Sequence, residues 1–167
     1  INQLATLEVD NVQLENKITK DFALAYTDQP YRRSYSWDIQ IGRDLYLVDF
    51  KTGAQKLIEK NASGFARLSP DGKYAYWYDS RDSAWVAFDL ASDQRINLTK
   101  SLPVPFYEEL HDSPSLPGSY GAEGWLAGDA AILINDRYDI WKIDPKNPAA
   151  AVNLTLGEGR KKQITFR

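Results

Sequence analysis

Cysteine and methionine are both absent from this 167-residue chain, and histidine occurs once, at His111. Without cysteine there is no disulfide framework, no thiol nucleophile and no cysteine-ligated zinc site. The absence suits any redox compartment and selects none. No apolar run approaches the ~20 residues that a membrane-spanning helix needs. Neither sign of charge dominates: 20 Lys and Arg stand against 23 Asp and Glu, leaving a net charge of −3. That balance carries no electrostatic footprint for nucleic acid or an anionic membrane. GSYG at 118–121 is not a G-x-S-x-G nucleophile elbow, and no EF-hand spacing occurs. Neither metal nor cofactor is expected. The chain opens INQLATLEVD, with no initiator Met, basic n-region or apolar h-region, and stops on the alternating run QITFR. It therefore reads as a piece of a longer protein.

What is present is a repeat. Hydrophobic residues make up 43% of the chain, enough for a real core, and aromatics 13%, which suits packed sheets. Three stretches follow one plan: apolar strand, turn, apolar strand ending in Asp, turn, short Leu-bearing strand. The first reads FALAYTD (22–28), DLYLVDF (44–50) and QKLI (55–58). The second reads YAYWYDS (74–80), AWVAFDL (84–90) and RINLT (95–99). The third reads AILINDR (131–137), DIWKID (139–144) and AVNLT (151–155). Asp28, Asp79 and Asp136 align at the end of the second strand, Asp49, Asp89 and Asp144 at the end of the third. Leu57, Leu98 and Leu154 fall in the fourth, 8, 9 and 10 residues after the third-strand Asp.

An earlier hairpin completes each unit. Ser69-Pro70-Asp71-Gly72 is a strong turn, Gly128-Asp129 does the same in the third unit, and Lys20-Asp21 is a weaker version after a first strand near 12–16. Tyr74, Tyr76 and Tyr78 alternate with Ala75, Trp77 and Asp79, a period of two that excludes a helix. Apolar character on both faces points to strands covered on both sides. Four short strands per unit at this period is the signature of a β-propeller blade. The expected fold is all-β: a partial propeller of about three four-stranded antiparallel blades, near 1–60, 61–100 and 119–157, with 158–167 starting another. The repeated carboxylates are expected to accept backbone N–H groups in tight turns. Three blades leave open strand edges, so the chain is expected either to self-associate through those edges or to form part of a larger chain.

Two connections break the spacing, residues 29–43 and 101–123, and long loops commonly carry function. In a propeller the link from second to third strand leaves on the same face as the link between blades, so both loops should project from one face. The first holds Tyr31, Arg32, Arg33, Tyr35 and Trp37, a basic and aromatic set suited to a carboxylate or a partner surface, or to the acidic loop itself. The second holds Phe106, Tyr107, Glu108, Glu109, His111 and Asp112. Paired acids there could hold a cationic group such as a peptide amino terminus. His111 lies among acids and prolines and reads as a solvated loop residue rather than a catalytic base. The sequons at Asn61, Asn97 and Asn153 match glycosylation acceptors, but two of them are simply the fourth-strand repeat.

LSPDGKYAYWYDS followed by AWVAFDLASDQRINLT resembles the propeller repeats of TolB-like proteins and of the prolyl oligopeptidase family of serine peptidases. PVPFYEELHDSPSLPGSYGAEGW, DRYDIWKIDP and PYRRSYSWD are similar to the N-terminal propeller of bacterial members related to acylaminoacyl peptidase and dipeptidyl peptidase IV. The resemblance implies a peptidase without a membrane span, often exported and so periplasmic in a bacterium. In it a propeller covers an α/β-hydrolase domain and filters peptide substrates by size. The catalytic residues of that family belong to the hydrolase domain, so none is carried onto this chain. The Glu pair with which dipeptidyl peptidase IV holds the substrate amino terminus suggests Glu108 and Glu109 as its counterparts. Tyr107, Arg32, Arg33 and Trp37 are the other expected substrate-binding residues. The alternative is a TolB-like propeller that acts as a protein-binding scaffold without enzymatic activity.

Overall fold

The computed structural model describes residues 2–14 and 21–167. The first-strand expectation at residues 15–16 and the turn residue Lys20 lie outside the described residues. Among the described residues, twelve strands form three four-stranded antiparallel sheets, each in simple sequential order. The first holds β1 (Asn11–Gln13), β2 (Phe22–Thr27), β3 (Arg43–Asp49) and β4 (Gln55–Ala62). The second holds β5 (Arg67–Leu68), β6 (Tyr74–Asp79), β7 (Ala84–Asp89) and β8 (Gln94–Asn97). The third holds β9 (Ala122–Trp125), β10 (Ile132–Asn135), β11 (Ile140–Ile143) and β12 (Val152–Asn153). The chain is an all-β partial propeller of three blades.

The period-two pattern explains how the sheets stack. On β6, Ala75 and Trp77 join Leu24, Leu45 and Ile58 in a core between the first and second sheets. Their neighbours Tyr74, Tyr76 and Tyr78 turn the other way, toward Ile132, Ile134 and Trp141 of the third sheet. β7 divides likewise: Val86 and Phe88 face the first sheet, Trp85 and Ala87 the third. A strand apolar on both faces is thus the middle layer of a three-sheet stack. Tyr74 stacks on Trp125 at 5.3 Å between ring centroids, a flat contact that fills the second interface. Leu4 and Val9 of the N-terminal segment cover Ala25 and Val48 on the far side of the first sheet.

The aligned carboxylates organise the turns. Asp49 Oδ1 accepts the backbone N–H groups of Lys51 (2.9 Å) and Thr52 (2.7 Å). Asp89 Oδ1 does the same for Ala91 and Ser92, and Asp144 Oδ1 for Lys146. In the first two turns the fourth residue after the Asp is left-handed, Gly53 at φ +74° and Asp93 at φ +58°, residue types that tolerate that region. Asp79 and Asp136 hold the preceding turns in the same way. Asp28 departs from the pattern: it accepts Arg32 and Tyr35 side chains instead.

The repeat also caps its own last strand. Asn97 Oδ1 accepts Thr99 and Lys100 N–H groups, and Asn153 Oδ1 accepts that of Thr155. The two Asn-Leu-Thr sequons are therefore turn chemistry. Residues 158–162, within the stretch expected to start another blade, form the short helix α1 (Glu158–Lys162). Left-handed Leu156 and Gly157 turn the chain there, and the Asp139 carboxylate gathers the N–H groups of Gly159 (2.9 Å) and Arg160 (3.2 Å). The tail beyond runs back to the third sheet, where Phe166 N–H donates to the Tyr138 carbonyl.

Candidate functional site

The link from β4 to β5 passes hard against the end of β6. Ser63 Oγ donates to Asp79 Oδ1 at 2.7 Å and accepts the Ser80 N–H at 2.8 Å. At Gly64 an added Cβ would lie 2.2 Å from the Tyr78 carbonyl oxygen, so only glycine fits. Loop 29–43 reaches this link: Gln40 Nε2 donates to the Ser63 carbonyl, and the Gln40 carbonyl accepts Arg81 Nη2. Loop 101–121 reaches it from the other side, where Tyr78 Oη donates to the Pro117 carbonyl at 3.2 Å. Between them lies a cleft of about 500 Å³. Gln40, Leu116–Gly118 and the aromatic residues Phe65, Tyr76, Trp77, Tyr78 and Trp85 are among the residues that line it. Residues of both long loops thus line one cleft.

The residues lining the cleft leave several buried polar atoms without partners. Trp77 Nε1, Trp85 Nε1 and Ser80 Oγ are buried and have no hydrogen-bond partner among the described residues. Buried polar groups are normally paired, so three orphans on one cleft need an explanation. Arg67 lines the cleft, and its lining residues include no Asp or Glu. Among the described residues neither Arg67 nor Arg43 makes an ion pair. The Arg43 guanidinium stacks 3.5 Å over the ring of Phe65, itself a lining residue. Burial lowers the Arg43 pKa, and the nearby Tyr26, Asp28 and Tyr35 only partly offset it.

The residues expected from the sequence sit elsewhere. Arg32 forms ion pairs with Asp28 (2.8 Å) and Asp10 (2.9 Å), which raise its pKa, rather than with the acidic loop. Arg33 and Trp37 are exposed on the same loop, Trp37 at 74%. Glu109 is engaged internally: Oε1 lies 2.9 Å from Arg160 Nη2, and Oε2 3.9 Å from Arg137. Its backbone N–H donates to Tyr120 Oη. Glu108 is exposed, with His111 Nδ1 at 3.6 Å, and Tyr107 bridges to Ser119. Glu108 and Glu109 are therefore in different environments, one exposed and one paired with arginines.

His111 Nε2 lies 2.9 Å from Ser113 Oγ, which superficially resembles a nucleophile–base contact. The same nitrogen lies 3.0 Å from the Ser115 carbonyl, an acceptor only. Ser115 Oγ lies 2.9 Å from it as well, so the ring sits among three oxygen atoms of its own loop. The ring closes the loop on itself.

Sequence reasoning missed the cleft lining. The Trp77 and Trp85 indoles read as core rings from alternation, and nothing local marks their N–H groups as unpaired. Gly64, a glycine in a strand-to-strand link, was the one legible signal of close backbone approach.

No known family and no curated protein matches this sequence. Among solved structures, TolB from Acinetobacter baumannii is similar at 17% identity and a TM-score of 0.47, over 80% of this chain and 29% of that one. The chain thus spans less than a third of the length of that TolB.

Proposed function

We propose that these three blades are a non-catalytic polypeptide-binding element, the part of a propeller that admits and holds peptides for a serine peptidase whose hydrolase domain lies on another segment. The observation that carries this reading is the cleft at which both long loops meet, with aromatic walls and unpaired polar groups. Aromatic walls with a few placed polar groups are the usual makeup of a ligand site. The peptidase assignment comes from the resemblance of the SPDG-centred repeat and its neighbours to prolyl oligopeptidase propellers.

Two measurements test the two halves. Immobilised chain should retain short peptides from a mixed library, and the Gly64→Ala variant should not. Labelling of a protein containing this chain by a fluorophosphonate probe, with the 167-residue chain unlabelled, supports the peptidase. An intact, folded parent without labelling would move the assignment to a binding scaffold.

A further inference from the structure

We propose that the cleft recognises a carboxylate, and in the first instance the C-terminal carboxylate of a peptide. This deepens the reading of the cleft as the peptide-binding site and rests on it. The sequence points the other way, toward acids that hold an amino terminus, but Glu109 is spent on Arg160 and Arg137. Residues lining the cleft instead hold buried donors without partners. Ser80 and Trp85 are only 8% and 9% exposed, line the cleft, and leave a hydroxyl and an indole N–H without an acceptor. An indole N–H can only donate, so it asks for an acceptor on the ligand.

Charge narrows the acceptor. Arg67 lines the cleft on an exposed strand end, and the Arg43 guanidinium stacks 3.5 Å over the ring of Phe65, another lining residue. Neither has a carboxylate partner among the described residues, in a chain where acids outnumber bases. A carboxylate matches both features, because it accepts several hydrogen bonds and neutralises a guanidinium. The adjoining aromatic walls suit an apolar or aromatic last side chain. The Pro117 segment beside these donors is held by the Tyr78 hydroxyl, by the Glu108 N–H donating to the Gly118 carbonyl and by the Tyr107–Ser119 bridge, so a ligand that reaches them displaces part of this loop.

The test uses the 167-residue chain, nitrogen-15 labelled, with its five indole N–H signals followed by NMR. The probes are acetyl-Ala-Ala-Phe as free acid, the same peptide as its amide, and acetyl-Ala-Asp-Phe-amide. The free acid should shift the Trp85 signal and bind about tenfold more tightly than the amide. Arg67→Gln should remove that difference. Shifts with the Asp-bearing amide equal to those with the free acid would support carboxylate recognition with a side chain as its source. Equal binding of acid and amide to the native chain would overturn the carboxylate inference while leaving the peptide-binding reading intact. No shift of any indole signal with any probe would overturn both.

Discussion

The Ser69 hydroxyl donates to Asp129 Oδ2 at 2.5 Å, joining two hairpin turns that lie 60 residues apart in the chain. The same carboxylate accepts the N–H groups of Asp71 (3.0 Å) and Lys73 (3.1 Å), so one side chain of the third blade organises the Ser-Pro-Asp-Gly turn of the second. Asp129 is only 3% exposed and left-handed at φ +52°. Asp129→Ala leaves three donors facing a void, and should cost about 3 kcal/mol or more. Asp129→Asn keeps the left-handed preference and one acceptor oxygen, and should cost less. Urea unfolding of both variants checks the order; equal losses would contradict it.

Gly64 is the position at which packing permits no side chain. The Cβ of an alanine would meet a backbone carbonyl at 2.2 Å, and backbone cannot rotate away as a flexible side chain can. Gly64→Ala should lower stability by about 2 kcal/mol or more and shift the Ser63–Asp79 and Ser63–Ser80 hydrogen bonds. Thermal unfolding and the backbone amide signal of Ser80 report the two effects.

Glu108 and Glu109 should respond differently to the same change. Glu109→Gln weakens the ion pair that ties loop 101–121 to α1, a loss of about 1 kcal/mol for a partly exposed pair. Glu108→Gln touches only a solvated side chain and should stay within about 0.5 kcal/mol of the parent. Chemical denaturation of the two single variants measures the contrast. A larger loss for Glu108→Gln would reverse the assignment.

Asp139 gives a pH dependence of definite sign. Burial opposes its ionisation, but the Thr155 hydroxyl and the N–H groups of Arg160 and Gly159 outweigh it and hold the pKa below the ordinary 3.8. A folded-state pKa below the unfolded one means stability that is complete above the unfolded value and lost as pH falls through the folded one. Asp139→Asn should therefore be less stable than the parent at neutral pH. The gap should narrow only below about pH 4. Unfolding curves from pH 7 to pH 2 check this, and a gap that narrows near neutrality would refute it.

Much of the fold was legible. Tyr74 to Asp79 alternates on both faces because both faces are covered, and the strand ends follow from carboxylates that take up turn N–H groups. The repeat was less faithful in its packing. Leu57, Leu98 and Leu154 align by spacing, yet Leu98 is fully buried while Leu57 and Leu154 are 39% and 46% exposed. Irregularities in the β3–β4 register accompany the placement of Ile58, not Leu57, in the first core. Leu154 lies on a sheet covered on one side by the second blade.

The sequence by itself determined the local matters: strands rather than helices, three similar units, turns closed by Asp, and two long loops leaving one face. These depend on periodicity and on hydrogen bonds between residues a few positions apart. Tertiary structure alone decided which charges are spent and which remain. Glu109 meets Arg160 from 51 residues away, Asp129 meets Ser69 from 60, and Arg67 lines a cleft without an acid. Pairing of that kind is fixed by how blades stack in space, and residue order carries no record of it.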